Sequence, residues 1–180
     1  MKPWVVVALA LGAVALSGTA AYFVGRAVEA ENSAPTPIVA RDGGRMLSQA
    51  FPDTAGAVQP LKQWQGKVLV INFWATWCAP CRDEMPEFAQ LQTELADRGV
   101  QFVGIGIDAA ERIAQFQRDD GVNYPLLVGN VTAIDLTRDY GNSMQALPFT
   151  VVLDRDGRVA ATKLGRFAKA DLDSLLRQLI

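Results

Sequence analysis

Apolar and polar positions change period several times along the chain, and each change marks an element. Residues 4–24 form an apolar run of 21 residues, about 31 Å as a helix at 1.5 Å per residue, against a hydrocarbon core of roughly 30 Å. Lys2 precedes the run and Arg26, Glu29 and Glu31 follow it, a basic bias that favours a cytoplasmic amino end with the remainder outside. A cleaved signal peptide competes with an uncleaved anchor, because Gly18-Thr19-Ala20 and Val28-Glu29-Ala30 both set small residues at the cleavage spacing. A buried cytoplasmic helix is the third reading. No Cys follows the run, which excludes a lipidation box. Residues 1–30 are therefore expected to be a membrane anchor or signal peptide. Residues 31–45 lose all period and turn to Pro, Gly and charge, the composition of a linker. One folded domain is expected over 46–180.

Within that domain, residues 51–65 mix turn formers with isolated apolar positions and predict a short irregular hairpin, closed by Gly66-Lys67. Residues 67–74 (KVLVINFW) form a β-branched and aromatic run, the pattern of a strand buried on both faces of a parallel sheet. After Thr76 the period becomes helical: Met85, Phe88, Leu91 and Leu95 face one way and Gly99 terminates. A second strand at 100–107, a helix at 109–119, a short strand at 125–128 and a helix at 133–140 follow. Residues 149–153 and 158–163 are two apolar runs joined through Asp156-Gly157, a hairpin signal. Leu172, Leu175, Leu176 and Leu179 stripe a closing helix over 169–180. Alternating elements followed by a hairpin and a helix predict an α/β domain, a mixed sheet with helices on both faces.

Composition narrows the chemistry. The chain has 180 residues, half of them hydrophobic, which is ample for one core. Its 17 basic and 19 acidic residues leave a formal charge of −2, so nothing draws it to nucleic acid. There is no histidine, which removes the usual neutral-pH base, the commonest metal ligand and any Cys/His catalytic pair.

Both cysteines lie in Trp77-Cys78-Ala79-Pro80-Cys81, where the central strand meets its helix. Free N–H groups and the positive dipole at a helix start favour a thiolate, so Cys78 is the expected attacking sulfur. Cys81, one turn deeper, would then resolve the mixed disulfide, which is why such chemistry needs a pair. Pro80 suits the first helical turn, where its missing N–H is not needed. A purely structural disulfide would close a very short loop, contributing about 2 kcal/mol. A zinc site lacks half its ligands, leaving only an intermolecular or Cu(I) site. Covalent haem attachment is excluded because Arg82, not His, follows Cys81. No metal or other cofactor is expected.

The stretch Asn72-Phe73-Trp74-Ala75-Thr76-Trp77-Cys78-Ala79-Pro80-Cys81-Arg82-Asp83-Glu84-Met85-Pro86 resembles the TlpA/ResA-like branch of the thioredoxin superfamily, and the resemblance spans about residues 46–180. It implies a thioredoxin-like fold with an extra N-terminal hairpin and a βα insertion before a cis-proline. It also implies a periplasmic or outer-surface thiol-disulfide reductase. Pro148 resembles the cis-proline that faces the two sulfurs, and Leu147 before it would face substrate; Pro86 resembles the proline that kinks the active-site helix. Thioredoxin has a buried Asp six residues before its first Cys, where this chain has Asn72, which cannot titrate. Glu84 resembles the glutamate that ResA-like proteins hold near their cysteines. At i+3 from Cys81 it can share a helix face with that sulfur and carry its proton, or it can be an ordinary first-turn acid complementing the helix dipole. Glu87 is expected to be plain solvent-facing charge. Trp77 is expected to shape the docking surface, and Trp74 either to do the same or to be core.

Three departures bear on specificity. Phe149 stands where relatives more often carry a small or polar residue, and is expected to narrow a substrate groove formed with Trp77, Pro80, Leu147 and Pro148. Ala146 replaces a frequent glycine, and Ile134 and Leu136 in the inserted segment carry no partner signature. The implied partners are protein thiols and disulfides, with a membrane thiol transporter as electron donor and apocytochrome c as one substrate type. The rival readings are a thiol oxidant, usually recognised by a His inside the tetrapeptide that Ala79-Pro80 lacks, and a Cu(I)-binding or redox-inactive docking protein.

Overall fold

The computed structural model describes residues 42–180; the apolar run at 4–24, both cleavage spacings and the linker up to residue 41 lie outside the described residues. Among the described residues, no helix is long and apolar enough to cross a membrane. In chain order the elements are α1 (Gly44–Leu47), β1 (Ala50–Pro52), β2 (Val58–Pro60), β3 (Val68–Trp74), α2 (Ala79–Leu95), β4 (Val100–Gly106), α3 (Ala110–Asp119), β5 (Leu126–Val128), α4 (Val131–Leu136), β6 (Phe149–Leu153), β7 (Val159–Leu164) and α5 (Lys169–Leu179). Regular structure thus begins inside the stretch read as linker. Asp42 bridges to Arg158 and its carboxylate accepts the Gly44 N–H at 2.8 Å, starting α1.

The main sheet has the order β5-β4-β3-β6-β7, with β4 and β5 parallel to β3, and β6 antiparallel to it. β1 and β2 pair separately as the N-terminal hairpin. Every residue of β3 is buried, as a central strand covered on both faces requires. Alternation then divides the core. Val68, Val70 and Trp74 pack with Met85, Phe88, Leu91, Leu172 and Leu176, so α2 and α5 cover that face. Leu69, Ile71 and Phe73 pack instead with Met46, Leu136, Phe149 and Val151. The fold is the expected thioredoxin-like one, a mixed sheet with helices on both faces.

Chain geometry explains the boundaries. Gly99 takes φ 86°, the left-handed conformation that ends α2 and its last tight turn. The helix expected at 133–140 begins earlier, because Asn130 Oδ1 accepts the Thr132 and Ala133 N–H groups at 2.9 and 3.2 Å. It then tightens into a 3-10 turn, Thr137–Tyr140.

Candidate active site at the strand-to-helix turn

β3 stops at Trp74, and a turn closed by the Cys78 N–H on the Ala75 carbonyl (3.1 Å) brings the chain to α2. Cys78 is the N-cap of that helix, with extended φ −89° and ψ 103°. It is disulfide-bonded to Cys81 across a Cα–Cα distance of 5.3 Å. Pro80, exposed in the first helical turn, removes no hydrogen bond there. Cys78 keeps 6% of its surface exposed and Cys81 none, so a partner sulfur reaches the first cysteine before the second. Trp77, beside Cys78, is 70% exposed. The turn is tied from below: Thr76 Oγ1 donates to Asp108, which also receives the Ala109 N–H at 2.8 Å and an ion pair from Arg112. These donors hold the Asp108 carboxyl below the usual carboxylate range, against its burial.

Glu84 lies past the first turn of α2 and is fully buried, so the helix-dipole reading does not describe it. Its Oε1 accepts from Asn72 Nδ2 at 2.8 Å, and its Oε2 accepts from the Phe167 N–H at 2.9 Å. Burial dominates these bonds and pushes its carboxyl up to about 7, while Arg166 draws it down and Glu87 pushes it up. A carboxyl titrating near neutrality on the helix of the cysteines is chemically able to take up and return a proton. Asn72 also donates to Thr150 Oγ1 at 3.1 Å.

The Leu147–Pro148 peptide bond is cis. Asn142, fully buried, clamps the loop before it: its Oδ1 accepts the Ala146 N–H and its Nδ2 donates to the Ala146 carbonyl, both at 3.0 Å. The Pro148 carbonyl accepts the Gly165 N–H at 2.9 Å, holding the loop against the end of β7. Leu147 is half-buried and touches both halves of the core.

Phe149 is corrected by the structure. It is 2% exposed, packs against Phe73 and belongs to the core half opposite the cysteines. Alternation along β6 turns Thr150, not Phe149, toward α2, so Phe149 lines no groove. Glu87 also departs from expectation, being part-buried and paired with Arg166 at 2.6 Å. Trp74 is fully buried core, and β4 makes room for it at Gly104, where a Cβ would lie 2.6 Å from Leu126 Cδ2 and 3.1 Å from the indole nitrogen. Sequence reasoning passed over Thr150, Asp108 and Asn142. Only Thr150 carried a readable signal, as the cross-strand partner of Asn72 once β3 and β6 are paired.

A thioredoxin-like sheet with a two-cysteine pair capping the helix after its central strand defines the class: a thiol-disulfide oxidoreductase. The sequence profile of the Redoxin family matches residues 29–179, and the chain belongs to that family. It is 30% identical over 128 residues to the thiol-disulfide oxidoreductase ResA of a Bacillus cereus strain, covering 71% of this chain and 72% of that one. Among solved structures it is similar to a thiol:disulfide interchange protein of the thioredoxin family from Chlorobium tepidum TLS, with a TM-score of 0.67, 28% identity, and coverage of 81% of this chain and 96% of the other. A secreted thiol-disulfide isomerase from Corynebacterium glutamicum superposes with a TM-score of 0.66 at 26% identity, over 73% of this chain and 83% of its own.

Proposed function

We propose that this oxidoreductase works outside the cytoplasm as a reductant of protein disulfides. The observation that carries the reading is the Cys78–Cys81 pair at the start of α2 with buried Glu84 on the same helix. In the reduced protein, the Cys78 thiolate attacks one sulfur of a substrate disulfide; the S–S bond breaks and the leaving sulfur departs as a thiolate that takes a proton. Cys81 gives its proton to the Glu84 carboxylate and attacks the Cys78 sulfur; the bond from Cys78 to the substrate breaks, and the second substrate sulfur leaves as a thiolate that takes a proton from solvent. Two electrons pass to the substrate, and the Cys78–Cys81 disulfide remains to be reduced by a donor thiol pair. Trp77, Pro80, Leu147 and Pro148 would receive the substrate strand. The likeness to a secreted isomerase and the apolar run at 4–24 support an extracytoplasmic site and an inner-membrane anchor. Oxidised cysteines of exported proteins, apocytochrome c among them, are the substrate class, and a membrane thiol transporter is the electron donor.

Direction rests on the dipeptide between the cysteines. Ala79-Pro80 carries no charge or His to hold the thiolate, so the pair should sit nearer thioredoxin, about −270 mV, than the strong oxidants near −120 mV. Equilibration of the full-length protein with glutathione buffers measures this directly. A potential above about −150 mV would make it an oxidant instead.

A further inference from the structure

Three polar side chains meet in the middle of the sheet. Asn72 and Thr150 are directly opposed on β3 and β6, and Glu84 reaches them from α2. The Asn72 amide uses both hydrogens, one to Glu84 Oε1 at 2.8 Å and one to Thr150 Oγ1 at 3.1 Å. Its own Oδ1 is buried and has no partner. The other Glu84 oxygen receives the Phe167 N–H at 2.9 Å. Both partners of Glu84 are donors, which suits a carboxylate. A carboxylic acid in the same place has a proton to give and neither partner ready to accept it. The Phe167 amide cannot become an acceptor. An asparagine can, because rotation of its amide by half a turn exchanges Oδ1 and Nδ2 at almost unchanged volume.

We propose that Asn72 is a positioning residue whose amide turns over when Glu84 gains or loses its proton. With Glu84 ionised, Nδ2 donates to Glu84 Oε1 and to Thr150. With Glu84 neutral, Oδ1 occupies that place and its two lone pairs accept from Glu84 Oε1–H and from the Thr150 hydroxyl, which rotates to donate. No bond between heavy atoms changes; the proton stays on Oε1 until the group that supplied it takes it back. The orphan is exchanged as well, Oδ1 in one state and Nδ2 in the other, so each orientation leaves one buried amide group unpaired. The charged groups that act on Glu84 are Arg166 and Glu87, which pair with each other and pull in opposite directions, and the buried Tyr124 hydroxyl lies within the field of Glu84, which opposes its ionisation. Asn72 thereby offers Glu84 a hydrogen bond in both of its states.

The inference rests on the reading of Glu84 as a proton carrier only in needing Glu84 to titrate. The test is nuclear magnetic resonance of full-length, 13C- and 15N-labelled protein across about pH 5 to 9, around the working range of a raised carboxyl. The Glu84 carboxyl carbon gives its protonation. Cross-relaxation from the Asn72 amide protons to the Thr150 methyl gives the amide orientation. The expected result is loss of that cross-relaxation on the acid side of the Glu84 midpoint, and in Glu84→Gln a pattern that does not change with pH. Retention of the cross-relaxation while Glu84 titrates overturns the proposal, as does a Glu84 carbon that never titrates or a pH-dependent pattern in Glu84→Gln. Insulin-disulfide reduction by the same samples tests the reductase reading separately, and its failure would leave the amide result standing.

Discussion

Replacing Glu84 by Gln isolates the energetic consequence of burying that carboxyl. Folding raises its midpoint from 4.5 to about 7. The folded protein therefore holds the proton more tightly than the unfolded chain does. Its contribution to stability is fully present below the unfolded value, is lost as pH rises from there through about 7, and is gone above. At about 1.4 kcal/mol per pH unit, the loss is about 3 kcal/mol, a large share of a typical 5–15 kcal/mol domain. Gln has the same shape and no ionisation, and the unpaired Asn72 Oδ1 is an acceptor its amide can use once the two side chains adjust. Urea unfolding of oxidised full-length protein at about pH 4 and pH 8 measures both, and the stability of wild type relative to Glu84→Gln should fall by about 3 kcal/mol between them, or about 1–3 M in the urea midpoint. Asp53, Asp108 and Asp154, whose carboxyls are held below the usual range, respond at lower pH and equally in both proteins, so they cancel in the difference. Profiles that stay parallel within about 0.5 kcal/mol would refute the reasoning, because the buried carboxyl would then not be raised.

Exposure of 6% at Cys78 and none at Cys81 gives an order of attack: Cys81→Ala should accumulate mixed disulfides visible on a non-reducing gel, Cys78→Ala few, and equal trapping would contradict it. Trp77→Ala removes a side chain that is 70% exposed, so stability should change by less than about 0.5 kcal/mol while KM for a disulfide-bonded protein rises; an unchanged KM would remove Trp77 from the docking surface. Asn142→Ala strips the Ala146 N–H and carbonyl of their side-chain partners and should cost about 2–3 kcal/mol in urea unfolding. Phe149→Ala should cost about 3–5 kcal/mol as a core truncation, whereas a groove residue would leave unfolding nearly unchanged and alter KM.

The strands and the two long helices were legible because their period was strong. From Val68 to Trp74 every residue but Asn72 is apolar, which leaves no face for solvent, and Met85, Phe88, Leu91 and Leu95 repeat at one helix face and are all buried. The turn bearing Cys78 and Cys81 was legible for the same reason, since strand and helix patterns meet there. Phe149 was misread because its role was assigned from its neighbour Pro148, whereas the strand run that begins at Phe149 turns that side chain to the core face opposite the cysteines. Asp108 was out of reach because it acts on Thr76 across a fold contact, and Asn142 because it clamps Ala146 four residues on inside an irregular loop, where no period marks it. Glu87 looked like surface charge because its partner, Arg166, is 79 residues away.

Asn at position 72 makes physical sense only together with Glu84. An Asp there would set a second carboxyl 2.8 Å from the first, where like charges resist ionising together and their protons leave in two coupled steps. With Asn72 the sheet centre holds one titrating group, and burial with its neighbours sets one midpoint near 7. That midpoint lies in the range where a carboxyl both accepts and returns a proton readily at neutral pH. Glu84, three residues after Cys81, places the acid on the helix itself and leaves the strand position to be neutral. The substitution of the strand acid by an amide and the burial of the helix acid are thus one arrangement, and Asn72→Asp should be read as adding a proton site rather than as restoring one.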